Sequence, residues 1–253
     1  MSRLRDPNGG CPWDLEQSFA TIAPHTIEEA YEVVEAIETG DRAALKDELG
    51  DLLFQVVFYG QMAREEGCFD FEAITLGICE KMERRHPHVF GQAVIATAGE
   101  QTRQWEAQKA AERAKKAGAD RPASALDGVS TALPALSRAA KLQARAGRVG
   151  FDWPEPAQVL DKIEEEIGEV RAELTQTIDA DRLEDEVGDL LFACVNLARK
   201  LKIDPETALR RGNRKFERRF HYIERSLASE GRRPEEASLE EMEALWIAAK
   251  LCE

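Results

Sequence analysis

The pentapeptide Gly-Asp-Leu-Leu-Phe occurs twice, at 50–54 and 188–192, and each copy completes the same acidic pattern. Glu28-Glu29-x-x-Glu32 is followed by Glu48-x-x-Asp51 in the first copy, and Glu165-Glu166-x-x-Glu169 by Glu186-x-x-Asp189 in the second. Chance clusters in a charged sequence do not keep their register over such a distance, so the repeat marks a duplicated structural unit. The fold must therefore build one carboxylate cluster twice.

Hydrophobic periodicity says from what. Ile27, Tyr31, Val34 and Ile37 step by three and four, as do Ile163, Ile167, Val170 and Leu174, which predicts amphipathic helices carrying glutamates beside an apolar stripe. The segments 44–63 and 182–201 are more apolar and suit central helices of a bundle. Further helices are expected at 70–85 and at 205–228, the second opening on Asp204-Pro205, a cap followed by proline at the first helical position. A short helical pattern surrounds Trp105, and a capping box at Ser238 starts a last helix. No segment alternates with period two, so the expected fold is all-α. Lys81 to Arg85 repeats as Lys215 to Arg219, and Trp13-Asp14 precedes its helix as Asp152-Trp153 does. Two homologous helical domains are thus expected, at 1–114 and 128–253, joined by a linker rich in Ala, Gly, Pro and charge at 115–127.

Composition narrows the partners. With 48 acidic against 34 basic residues the formal charge is −14, which argues against nucleic acid or an anionic membrane surface. The five cysteines show no Cys-x-x-Cys spacing and read as reduced thiols. No leader and no apolar run near the ~18 residues of a membrane span is legible. The expectation is a soluble, cytoplasmic protein.

Residues three apart share a helix face, so Glu166 with Glu169, and Glu186 with Asp189, each present two carboxylates together. Four converging carboxylates cannot all ionise at close range without a cation. Oxygen-only ligation selects Mg2+, with Mn2+ as a substitute, over zinc. Glu29, Glu32, Glu48 and Asp51 form the matching set in the first half. Lys215, Arg218 and Arg219 lie one turn apart and can deliver positive charge to a phosphate chain. No P-loop and no Gly-x-Gly-x-x-Gly is present, so phosphates would be held by metal and side chains. Glu83-x-x-His86 has the spacing of di-iron bundles, but Phe220 replaces the second histidine, and His86 is read as a helix end.

These residues resemble the MazG family of nucleoside triphosphate pyrophosphohydrolases, within the all-α NTP pyrophosphatase superfamily. The resemblance runs from GCPWDLEQSFATIAPHTIEEAYEVVEAI through ELGDLLFQVVFYGQMA, ERRHPHVFG and SALDGVSTALPALSRAAKLQ to VGFDW, EVGDLLFACVNLARKL and NRKFERRF. It implies tandem helical domains, a homodimer, Mg2+ dependence and hydrolysis of NTPs to NMP and pyrophosphate with broad base tolerance. It implies metal ligands at Glu166, Glu169, Glu186 and Asp189. It also implies nucleotide contacts at Lys162, Glu165, Arg182, Asp185, Lys215, Phe216, Glu217, Arg218, Arg219 and Trp246. Trp246 is read either as a base-stacking ring or as a core tryptophan closing the bundle. Lys162 would offset phosphate charge, and either Glu165 or Glu166 would accept the proton of the attacking water.

The first half keeps its acids but has His25 where the second has Lys162, and Phe58 where the second has Asn196. It is expected to be the weaker metal site. The competing expectations are a narrower dUTP, dCTP or phosphoribosyl-ATP pyrophosphatase, and a nucleotide-sensing module that docks a regulatory protein partner without turnover.

Overall fold

The computed structural model describes residues 1–93, 95–116, 124–175 and 179–253. The chain divides into two compact units, Met1–Ala111 and Glu112–Glu253. Among the described residues regular structure is helical throughout, without a strand, in agreement with the period-three-to-four pattern. No helix among them is long and apolar enough to cross a membrane.

The first unit begins with α1 (Pro12–Glu16), α2 (Phe19–Thr39) and α3 (Arg42–Glu65). It continues with α4 (Phe71–Arg85), α5 (Pro87–Phe90) and α6 (Ala98–Lys116), whose last turn lies beyond the division. Ser18 and Thr21 form a capping box at the start of α2. Gly40, at φ 77°, ends that helix in the left-handed region, and Asp41 caps α3 by accepting from the Ala43 and Ala44 amides. So tight a connection makes α2 and α3 an antiparallel hairpin. Ile22, Phe58 and Met62 form its core, with Phe19, Tyr59 and Met1 packed around them.

The second unit repeats the plan with α7 (Ala135–Arg148), α8 (Pro156–Leu174), α9 (Ala180–Lys200), α10 (Pro205–Ser229) and α11 (Leu239–Leu251). Asp204 caps α10 ahead of Pro205, and Ser238 with Glu241 forms the capping box of α11, as the sequence predicts. α8 packs along α9 as α2 does along α3, α7 lies against α9 and α10, and α11 lies on α10.

Some boundaries differ from the sequence reading. The helix around Trp105 is long, because its alanine-rich turns continue to Lys116 and Lys109 sits 3.7 Å over the Trp105 ring. Trp13-Asp14 lies inside the single turn of α1, whereas Asp152-Trp153 lies in the connection before α8. Of the expected linker at 115–127, residues 117–123 lie outside the described residues, and Ser124 to Asp127 form a turn closed by their own hydrogen bonds.

Asp152 ties this connection to the end of α9. Its carboxylate takes the Arg199 guanidinium at 2.5 and 3.1 Å and the Lys200 ammonium at 2.7 Å. Gly147 makes room, since a Cβ there would lie 3.2 Å from Asp152 Oδ2. Desolvation pushes the Asp152 carboxyl up, but the hydrogen bonds from Arg199 and Lys200 prevail and hold it below its ordinary 3.8. A depressed carboxylate stabilises the fold above its unfolded pKa, and that contribution is lost as pH falls through the folded value. Asp152→Asn is therefore expected to cost about 2 to 3 kcal/mol in urea unfolding at pH 7. This is less than for a fully buried pair, since the Arg199 and Asp152 side chains keep 20 and 21% exposure. The gap between variant and wild type should close below pH 3.8. A gap that is constant with pH would refute the ionic origin.

Candidate metal and nucleotide site

Along α8 the positions 162, 165, 166, 169 and 173 share one face, and 182, 186, 189, 193 and 196 share the facing side of α9. The hairpin brings Glu166, Glu186 and Asp189 together, with one carboxylate oxygen of each within 4.8 Å of the others. Glu169 stands beside this triad. Its carboxyl is held above the ordinary range, first by a hydrogen bond shared with Glu166, then by desolvation and by the Glu166 charge; Lys162 pulls the other way, and Glu186 adds to the rise. Two carboxyls bond to each other only when they share a proton, so the shift records crowding of negative charge.

Lys162 faces the cluster one turn upstream. Its ammonium lies 2.8 Å from Glu165 Oε1 and 2.9 Å from Glu166 Oε1, and these hydrogen bonds raise its pKa, so it stays charged near neutrality. Glu166 is only 4% exposed, and its Oε2 is buried without a hydrogen-bond partner. One lysine does not balance these acids. A buried carboxylate oxygen lacking a donor, among other hard oxygens, fits a divalent cation.

A cavity of about 300 Å3 opens beside the triad. Lys162, Glu166 and Asp189 line its polar side, and Trp153, Phe192 and Asn196 part of the remainder. Phe192 belongs to the repeated pentapeptide, yet nothing in the spacing marks it as a cavity wall. Trp153 could have been suspected only from its place just ahead of α8.

The other residues singled out by the sequence fall elsewhere in this unit. Arg182 pairs with the buried Glu173 near the loop end of the α8–α9 hairpin, and Asp185 is exposed beside it. Lys215, Phe216 and Glu217 are exposed on α10. Arg218 and Arg219 both grip Glu253, the latter at 2.6 Å, and these hydrogen bonds, that from Arg219 foremost, depress the Glu253 carboxyl to about 2. The two arginines, Tyr222 and Arg225 line a cavity of about 460 Å3. Trp246 is half-buried, 5.4 Å from the Phe216 ring and under the Arg219 guanidinium at 5.3 Å. Its packing partners lie on α10.

The first unit builds the same triad from Glu29, Glu48 and Asp51, again within 4.8 Å. Burial, and then the neighbouring acids, raise the Glu29 and Glu48 carboxyls. Around the triad the chemistry changes. Gln55 stands where the second unit has Ala193; it is 6% exposed and its Nε2 reaches Glu29 Oε1 at 3.5 Å. Phe58, in place of Asn196, is 1% exposed and covered by Arg5, whose guanidinium lies 5.5 Å from the ring centre. His25, matching Lys162, contacts Glu28. Neither acidic cluster includes a histidine among the described residues, and His86 caps the end of α4.

Comparison with known proteins is consistent with this duplication. The MazG nucleotide pyrophosphohydrolase domain matches residues 17–90 and again 155–223. An Escherichia coli K12 protein named nucleoside triphosphate pyrophosphohydrolase is 53% identical over 251 residues, spanning 99% of this chain and 94% of its own length. A Thermotoga maritima protein named nucleoside triphosphate pyrophosphohydrolase/pyrophosphatase MazG is 44% identical over 250 residues, spanning 99% and 92%. A Mycobacterium tuberculosis nucleoside triphosphate pyrophosphohydrolase is 34% identical over 153 residues, 60% of this chain and 44% of its own.

Proposed function

The chain belongs to the MazG nucleotide pyrophosphohydrolase family, and on that premise we propose that its second unit hydrolyses nucleoside triphosphates to NMP and pyrophosphate, with Mg2+ and broad base tolerance. The observation that carries the reading is the Glu166, Glu186 and Asp189 triad, joined by Glu169, opening on a cavity that Lys162 also lines. These four acids would hold the cation. When bound it supplies charge neutralisation along the phosphate chain and acidifies water.

The protein's own groups do the remainder. Lys162 lies where it can offset negative charge developing on the phosphates, and being firmly protonated it cannot serve as the base. Glu166 is the buried ligand. The neighbouring Glu165, with its side chain 59% exposed and one oxygen on Lys162, is assigned the proton of the attacking water. Arg182, Asp185 and the stretch from Lys215 to Arg219 are proposed as further substrate contacts. For the two arginines that role requires Glu253 to release them. The first unit is proposed as a metal site of lower affinity without turnover.

Exposed apolar side chains on the second hairpin, Leu160, Val187 and Leu191, and on the first, Ile27, Leu49 and Leu53, support a homodimer. The acidic balance and the reduced thiols support a cytoplasmic setting. A panel of ribo- and deoxyribonucleoside triphosphates, assayed for NMP and pyrophosphate by a protein shown dimeric by light scattering, tests the reading. Expected are release from purine and pyrimidine substrates alike and its loss on chelation. Activity confined to dUTP, dCTP or phosphoribosyl-ATP would replace the broad enzyme with a narrow one. Tight binding without product would make the chain a sensor.

A further inference from the structure

The cavity of about 460 Å3 lies where α10 meets the end of α11. Arg218, Tyr222 and Arg225 line it from successive turns of α10, with Arg219 beside them. Arg225 is exposed and makes no ion pair among the described residues. Three guanidiniums around one opening suit an oxyanion.

A carboxylate of the chain itself already occupies two of them. Glu253 Oε1 accepts from Arg218 Nε at 3.0 Å and from Arg219 Nε at 3.2 Å, and Oε2 accepts from Arg219 Nη2 at 2.6 Å. Arg219 keeps only 11% of its side chain exposed and has Trp246 at 5.3 Å from its guanidinium, so this arginine is fixed. Arg218 and Glu253 face water more freely, at 59 and 26%. Glu253 lies just past Cys252, the cap of α11, so its side chain can swing out without unpacking the helix, whose buried residue is Ala249. Ion pairs open to water hold weakly. A phosphate group, with more charge and three acceptor oxygens, therefore outcompetes a single carboxylate.

We propose that Glu253 is an intramolecular competitor of the phosphate chain: it occupies Arg218 and Arg219 in the free protein, and the substrate must displace it to reach them. The inference rests on reading those two arginines as substrate contacts. Arg225, unpaired across the same opening, gives the incoming anion a cation to meet before Glu253 leaves. Hydrogen bonds from Arg219 and then Arg218 keep the Glu253 carboxyl at about 2, so a competing anion, not protonation, opens the contact. Apparent affinity is lowered by the fraction of molecules in which the arginines are free, while the chemical step is untouched. Turnover is thus restrained when nucleotide is scarce.

Glu253→Gln keeps the size of the side chain and removes its charge. Calorimetric binding of tripolyphosphate in Mg2+ should tighten about fivefold in this variant. KM for ATP should fall by the same factor, with kcat within about twofold of wild type. Loosening of α11 would weaken binding, so damage to the fold does not imitate a gain. The gain should disappear when Arg218→Gln and Arg219→Gln are added, since nothing remains to be freed. Unchanged or weaker tripolyphosphate binding in Glu253→Gln overturns the competitor, and so does a gain that survives loss of both arginines. Wild-type KM for ATP in the protein carrying only the two arginine changes would instead remove the reading beneath it, and the competitor with it.

Discussion

Asp189→Ala should lower pyrophosphate release by about 1000-fold, ~4 kcal/mol of transition-state stabilisation, with the helical circular dichroism of the wild type. Asp189 projects from the exposed side of α9 into the triad, so its removal deletes a ligand without opening the core, and alanine is the better helix former. Glu169→Ala should act in the same direction by about 100-fold, because Glu169, beside the triad, is the fourth acid proposed to hold the cation. Glu165→Gln should lower kcat by about 100-fold with KM and Mg2+ affinity retained, the signature of a proton acceptor that is not a ligand. Asp51→Ala, in the other unit, should leave turnover within about twofold of wild type. Near-normal turnover in both Asp189→Ala and Glu169→Ala would sink the site; loss of activity in Asp51→Ala would show that the first unit contributes.

The fold was legible because helical periodicity and caps are local. Asp204 and Ser238, read from the sequence, fix where two helices start; the structure adds the caps at Ser18 and Asp41 and the turn at Gly40 that sets the antiparallel register. Given that register, the spacing of Glu166 and Glu169 on one helix and Glu186 and Asp189 on the next determines which acids meet. The cavities were not legible. They depend on what is missing from a position, such as the small side chain of Ala193, and on a tryptophan brought in by the Asp152 ion pair. Likewise Lys215 to Arg219 reads as a cationic stretch, but that Glu253 occupies its arginines is a contact between residues far apart in sequence.

The divergence of the two units yields the other large effect. Both carry the triad within 4.8 Å, so the carboxylate geometry alone does not separate them. What separates them is the space beside it, filled in the first unit by Gln55 against Glu29 and open in the second at Ala193. Ala193→Gln should therefore convert the second unit toward the first: a glutamine enters the cavity of about 300 Å3 and its amide can engage Glu166 as Gln55 engages Glu29. Because the added side chain occupies existing space, overpacking should cost no more than about 1 kcal/mol. The expected result is a fall in kcat/KM of about 100-fold, carried mainly by KM, with Mg2+ binding and the urea midpoint little changed. Unaltered kinetics in a folded variant would mean that nucleotide does not enter there. The reverse change, Gln55→Ala, should not awaken the first unit, since Phe58 still fills the place of Asn196 and His25 faces Glu28 instead of the triad.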